Sequence, residues 1–300
     1  MQYKMLLEAS GSLTSSYMIK AAQQASVRVV ASDIEECAAS FLADEFILVP
    51  RFRDPMLWEK MEEAIVRSGI NVVMPSFDET LLAWAQKKEY FRQKGVHVIL
   101  SDEQSIALCQ DKWKTFQFFE FNNIPTPKTS LDNKYQVVKP RLGRGGKDIL
   151  INNNGKDVDM EGMISQEFLS GTEYTIDVFC NNSGEPQYII PRKRLAVKEG
   201  KSIHGITVDH AKISELVKRI CNSTHFIGPI NMQCFEDDKG NIKFTEINPR
   251  IAGGMALGFA ASENWVPLII DHTIGGSPIK PKPIKYGLKM YRFYDEVFVD

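Results

Sequence analysis

Residues Gly228 to Arg250 read GPINMQCFEDDKGNIKFTEINPR, and glycines follow at Gly253 and Gly254. A turn centred between Lys239 and Gly240 predicts two antiparallel strands with Gln233 opposite Glu246, because cross-strand partners share a face. Asn231, Phe235, Phe244 and Asn248 fall on that face, while Met232, Cys234, Thr245 and Ile247 form a mostly apolar set on the other. Two readings are open. The polar face could simply meet water, as one face of an antiparallel pair often does. Alternatively, Glu246 with the amide oxygens of Gln233 and Asn248 could hold magnesium, which prefers hard oxygen ligands and usually takes only one or two carboxylates from a protein. Arg250 could then hold a transferring phosphoryl group.

Outward from that stretch, the chain has 300 residues, 43% hydrophobic and 25% charged, enough for two or three packed units. A net charge of -2 gives no hint of binding to nucleic acid or to an acidic membrane, both of which would favour a basic patch. Cys37, Cys109, Cys180, Cys221 and Cys234 show no CxxC or Cys/His spacing, which argues against zinc or a disulfide framework. Met5-Leu6-Leu7 is too short for a signal-peptide core, and no apolar run approaches the roughly 20 residues of a membrane span. The expectation is a cytoplasmic protein acting on small molecules, with a homodimer as a candidate assembly.

The N-terminal part predicts repeated strand and helix units and hence a parallel sheet. Strands are expected at Lys4–Ala9, Val27–Ala31, Phe46–Val49, Asn71–Met74 and Val96–Leu100, with helices at Ser15–Ala25, Asp54–Ser68 and Glu79–Lys94. Ser76 and Glu79 have capping-box spacing. Gly11 after the first strand and Asp33 at the end of the second suggest a dinucleotide site, but GxGxxG needs three glycines and only Gly11 is present. The strand ends at Ser10–Ser12 and Pro75–Asp78 remain the default crevice for a small ligand, which makes Ser76 a candidate substrate contact.

Beyond a helix over Asp111–Asn123, Pro125 and Pro127 mark a seam. Tyr135–Pro140 and Asp148–Asn152 predict strands flanking RLGRGGK, Arg141 to Lys147. This loop leads into a strand, so it is not a phosphate loop of the GxxxxGK[ST] type; it is either a hairpin turn or a flap whose N–H groups close over phosphates. Lys112 and Lys139 are surface residues or phosphate contacts. Strands follow at Met163–Leu169 and Glu173–Cys180. The basic segment with Arg192, Arg194 and His204 reads as a loop, either solvated or facing an anionic substrate. Ala211–Phe226 and Ala260–Ile274 read as helices, and Leu288–Phe298 as a closing strand.

In order, Lys112, Lys139, Gly143-Arg144-Gly145-Gly146, Gln166-Glu167-Phe168-Leu169, Glu173, Gln233 and Glu246-Ile247-Asn248-Pro249-Arg250 resemble the ATP-grasp superfamily, in particular proteins related to the large subunit of carbamoyl-phosphate synthase. Val29 to Glu79 resembles the domain that precedes the catalytic part in that group. The resemblance implies an α/β protein with an α+β catalytic part: a Rossmann-like pre-ATP-grasp domain (1–110), a small subdomain with the glycine flap (111–168) and a large subdomain with the metal site (169–300).

It also implies that Lys112 and Lys139 contact ATP phosphates under the flap. Adenine would bond the backbone of Glu167 and Leu169 and the side chain of Gln166, beside Phe168, with Glu173 on the ribose. Gln233, Glu246 and Asn248 would hold Mg2+, or Mn2+ in its place, and Arg250 the phosphoryl group. The implied reaction joins a carboxylate to an amine or another nucleophile through an acyl phosphate. Many ATP-grasp enzymes carry an acid where Gln233 stands, and Ile251-Ala252-Gly253-Gly254 lacks an arginine found in carbamoyl-phosphate synthase. With one ATP-grasp unit, the expectation is a stand-alone ligase. The alternatives are an ATP-binding regulatory or partner protein without turnover, and an NAD-dependent oxidoreductase.

Overall fold

Lys4–Leu7 (β1) has three buried apolar residues in succession, as expected of a strand covered on both faces. It is followed by Ser15–Gln24 (α1), Arg28–Asp33 (β2), Ala39–Leu42 (α2), Glu45–Leu48 (β3), Leu57–Arg67 (α3), Val72–Met74 (β4), Leu81–Gln93 (α4) and His97–Val98 (β5). The structure, a computed structural model, describes residues 2–143, 148–151, 158–198, 201–293 and 295–299. These strands form a five-stranded parallel sheet in the order β3-β2-β1-β4-β5. The expected capping box does not form. Ser76 Oγ instead donates to the carbonyl of Glu8 at 2.6 Å, and a 3-10 turn over Asp78–Thr80 precedes α4.

Glu103–Gln110 (α5) leads to Lys112–Phe121 (α6), whose N-cap is Asp111; its carboxylate accepts from Trp113 N and Lys114 N at 3.0 and 3.3 Å. Thr129–Ser130 (β6), Val137–Pro140 (β7), Leu150–Ile151 (β8) and Met163–Gln166 (β9) make an antiparallel sheet in the order β6-β9-β7-β8. Arg144, Gly145 and Gly146 lie outside the described residues.

Thr172–Cys180 (β10), Pro186–Lys198 (β11), Lys201–Thr207 (β12), Ala211–Ser223 (α7), Gly228–Glu236 (β13), Ile242–Asn248 (β14), Ala256–Ala261 (α8), Trp265–Leu268 (α9) and Lys289–Tyr291 (β15) complete the described elements, together with a π-helical turn at Ile269–Ile274. The strands form a sheet ordered β14-β13-β10-β11-β12-β15. The basic segment is therefore not a loop. Arg192 and Arg194 lie within β11 and His204 within β12.

The β13–β14 hairpin pairs Gln233 with Glu246 and Asn231 with Asn248, as expected, but the register then shifts by one residue and pairs Cys234 with Phe244. This bulge turns Phe244 into the core, where it is fully buried, and leaves Thr245 half-buried with its hydroxyl on the carbonyl of Gln233. The apolar face, including Ile176, Met232, Ile247 and Phe244, packs in one cluster with Ile213, Val217 and Ile220 of α7. The opposite face carries the polar groups, aligned in rows across the strands. One row runs Glu246, Gln233, Thr175, Arg192, Thr207, and the next runs Asn248, Asn231, Asp177.

Asp177 and Arg192 meet on that face at 2.6 and 2.8 Å with 0% and 1% side-chain exposure, and Asn231 Nδ2 donates to the same carboxylate at 3.0 Å. Gly254 and Gly258 cover the pair so closely that a Cβ at either would stand 2.6 Å from Arg192 Nη1 or 2.5 Å from Asp177 Oδ2. Removing one partner strands the other charge away from water. Asp177→Ala is therefore expected to cost about 3–5 kcal/mol in a urea melt.

Candidate functional site

Three elements, β14, β7 and α6, bring side chains together on the polar face of the hairpin. Glu246 projects from β14, with Asn248 two residues on and Asn248 Nδ2 donating to Glu246 Oε1 at 2.9 Å. Lys139 comes from β7 and Lys112 from the first turn of α6. Burial lowers the pKa of both lysines. Lys139 falls to about 8, where the charge of Glu246 supports its ammonium and that of Lys112 opposes it. For Lys112 the carboxylates of Glu246, Asp78 and Asp111 act against the effect of burial. Glu246 thus sits within electrostatic reach of both lysines, so the residues the sequence proposed for phosphate and for metal converge. A buried lysine whose pKa is pulled down beside a carboxylate and a second lysine is a common mark of a functional site.

The start of the glycine loop is anchored to α6. Lys112 N donates to Arg141 O at 3.1 Å, Lys112 Nζ to Gly143 O at 2.7 Å, and the Arg141 guanidinium grips Asp111 at 2.7 and 2.6 Å. Although burial alone would raise the Asp111 carboxyl pKa, the Arg141 contact and the N–H groups of Lys114 and Trp113 hold it below its usual value. Sequence reasoning did not assign Arg141 and Asp111 this anchoring role. The signal available was an acid at the N-cap directly before Lys112.

The segment from Gln166 to Leu169, expected from the sequence to border adenine, is only partly free. Gln166 accepts from Lys139 Nζ at 2.7 Å and donates to Thr129 Oγ1 at 3.0 Å, so its amide is engaged within the protein. Glu167 N donates to Lys128 O at 2.9 Å, and its carboxylate holds Lys243 at 2.7 Å. Phe168 is half exposed. Glu173 pairs with Arg194. His204 stacks on Tyr291 with ring centroids 4.0 Å apart. Asp33, considered for a ribose, accepts from Gly11 N at 2.6 Å.

Arg250 lies at the end of the hairpin and reaches the N-terminal sheet. Its Nε and Nη2 donate to Asp78 at 2.8 and 2.6 Å, Nη1 donates to Ile251 O at 3.1 Å, and Nη2 stands 3.5 Å from Asn248 Oδ1. Asp78, the partner of Arg250, was named from the sequence only as the end of a crevice at the carboxyl ends of parallel strands.

The donor set suits magnesium. Glu246, Gln233 and Asn248 offer one carboxylate and two amides on one face, with cations alongside for phosphate oxygens. Among the described residues, no group of three or more His, Cys, Asp or Glu could hold a metal by itself. A site of this kind relies on phosphate oxygens and water to complete its coordination.

Residues 159–295 match the family model described as "ATP-grasp in the biosynthetic pathway with Ter operon". Residues 7–99 match "PylC-like, N-terminal domain". A carbamoyl-phosphate synthase of Methanobrevibacter smithii is 25% identical over an alignment of 173 residues that covers 51% of this chain and 46% of that protein. The chain thus spans less than half the length of that curated relative. Among solved structures, biotin carboxylase from Campylobacter jejuni in a β-γ-ATP complex has a TM-score of 0.77 at 14% identity, covering 95% of this chain and 74% of that one. N5-carboxyaminoimidazole synthetase from Staphylococcus aureus, complexed with ADP, has a TM-score of 0.74 at 20% identity, covering 95% and 81%. At these identities the likeness shows the fold. No described helix is long and apolar enough to cross a membrane.

Proposed function

We propose that the chain, whose residues 159–295 match an ATP-grasp model and residues 7–99 a PylC-like N-terminal model, is an ATP-dependent ligase joining a small carboxylate to an amine or another nucleophile through an acyl phosphate. The convergence of Lys112, Lys139, Glu246 and Arg250 from separate elements carries this reading. A carboxylate oxygen attacks the γ-phosphorus, the bond to the bridging oxygen breaks, and ADP leaves. The amine then attacks the acyl carbon, and inorganic phosphate and a proton depart.

In this reading Lys139 and Lys112 hold ATP phosphates, Arg250 takes the phosphoryl oxygens, and the chain from Gln166 to Leu169 with Glu173 borders adenosine. Glu246, Asn248 and Gln233 would hold magnesium, which when bound would neutralise charge on the phosphoryl group. The remaining rate enhancement comes from orientation, because phosphoryl transfer needs little covalent help from a protein. Boundaries near 110 and 168, a homodimeric assembly and a cytoplasmic location belong to the same proposal.

ADP release measured with Mg-ATP against a panel of carboxylates, with and without amines, tests the function. Release that requires a carboxylate supports it, and Mg-ATP binding with no release across the panel refutes it. Gln233→Glu adds a second carboxylate beside Glu246 and is expected to tighten Mg2+ about tenfold in the nucleotide complex. An unchanged Mg2+ titration would place Gln233 outside the metal's ligands.

A further inference from the structure

We propose that Asp78, fixed by Glu8, is a positioning residue for Arg250, so that the N-terminal unit completes the catalytic site. This deepens the ligase reading and rests on its assignment of Arg250 to the phosphoryl group. Glu8 lies just beyond β1 with 7% of its surface exposed. Its carboxylate accepts from Thr80 Oγ1 at 2.8 Å, Trp84 Nε1 at 3.1 Å, and the N–H groups of Ser76 and Phe77 at 3.3 Å each. Its backbone carbonyl accepts from Ser76 Oγ. Four contacts to one residue therefore fix the turn from Ser76 to Thr80, a fifth ties that residue to Trp84 of α4, and Gln110 Nε2 donates to the carbonyl of Asp78 itself. A buried carboxylate surrounded by this many donors has a definite structural task, because leaving it unpaired would be costly.

That turn presents one side chain to the other unit. Asp78 and Arg250 are 16% and 15% exposed, and their two contacts form a fork-to-fork pair, an arrangement that fixes the plane of a guanidinium as well as its place. With Nη1 held by Ile251 O, all three nitrogens of the guanidinium are anchored within the protein. Its Nη2 side faces Asn248, and through it Glu246. An arginine held in this way loses little freedom when it meets an oxyanion.

Asp78→Glu keeps the charge but lengthens the reach by one methylene, and so separates aim from electrostatics. Isothermal titration with Mg-ADP and with a non-hydrolysable Mg-ATP analogue gives the ratio of the two affinities. The ratio is expected to fall at least fivefold in Asp78→Glu, with Mg-ADP within twofold of the parent. Glu8→Gln, which touches nothing in the site, should move the ratio in the same direction. In an Arg250→Ala background neither change should have a further effect.

An unchanged ratio, an equal loss of both nucleotides, or effects that add to Arg250→Ala would overturn the proposal. The readout needs no turnover. A parent protein that releases no ADP while its ratio still responds to Asp78→Glu would refute the ligase reading and leave the positioning role standing.

Discussion

Glu246→Ala is expected to lower carboxylate-dependent ADP release by about a hundredfold to a thousandfold, the scale seen when a single preorganised electrostatic contact to a transition state is removed. Stability should change by about 1 kcal/mol or less, because the half-buried side chain loses one hydrogen bond, from Asn248, and leaves the apolar face intact. Two functions are lost together. Glu246 is the only carboxylate among the three metal candidates, and it is also the charge that supports the ammonium groups of Lys139 and Lys112 against burial. The variant should therefore demand far more Mg2+ and also shift its pH profile to lower pH. Normal turnover at low Mg2+ in a folded Glu246→Ala protein would remove the metal assignment.

Lys139→Ala is expected to weaken Mg-ATP by about tenfold to a hundredfold, the scale of a charge-assisted contact, and to weaken the carboxylate much less. The pH dependence gives a sharper sign. With its pKa at about 8 in the folded chain, Lys139 is charged at neutrality and loses that charge as pH rises through 8. Mg-ATP affinity should fall over the same range, and binding above about pH 8 should take up a proton, which calorimetry in buffers of different ionisation enthalpy detects. Lys139→Arg should flatten the profile, because guanidinium stays charged. For folding the sign is opposite. Between about 8 and the usual 10.5 the unfolded chain holds a proton that the folded chain has released, so this lysine makes stability rise with pH across that window.

The polar face of the sheet was legible in one hairpin because alternation and a turn fix most of its register. Gln233 opposite Glu246 and Asn231 opposite Asn248 follow from those two facts. The bulge did not, and it moved Phe244 from the polar face to the core; the residues beside it give no local sign of an extra position. Arg192 and Arg194 looked like a loop because consecutive charges usually meet water. Their burial depends on Asp177 and Glu173, partners 15 and 21 residues away across a sheet. The same limit hid Asp78, whose partner Arg250 is 172 positions distant. Ser76 was misread for the related reason that its hydroxyl satisfies Glu8, 68 residues earlier, and not the helix it precedes.

The first sheet shares one apolar cluster with the last helices: Met5, Leu7, Ile19 and Val29 pack in the same core as Phe259, Trp265, Val266 and Ile269. A ribosome makes the sheet first and its cover last. One face of β1 must therefore wait for some 250 further residues before it is sealed, so the N-terminal sheet reaches its final form only once the segment from Phe259 to Ile269 has been made.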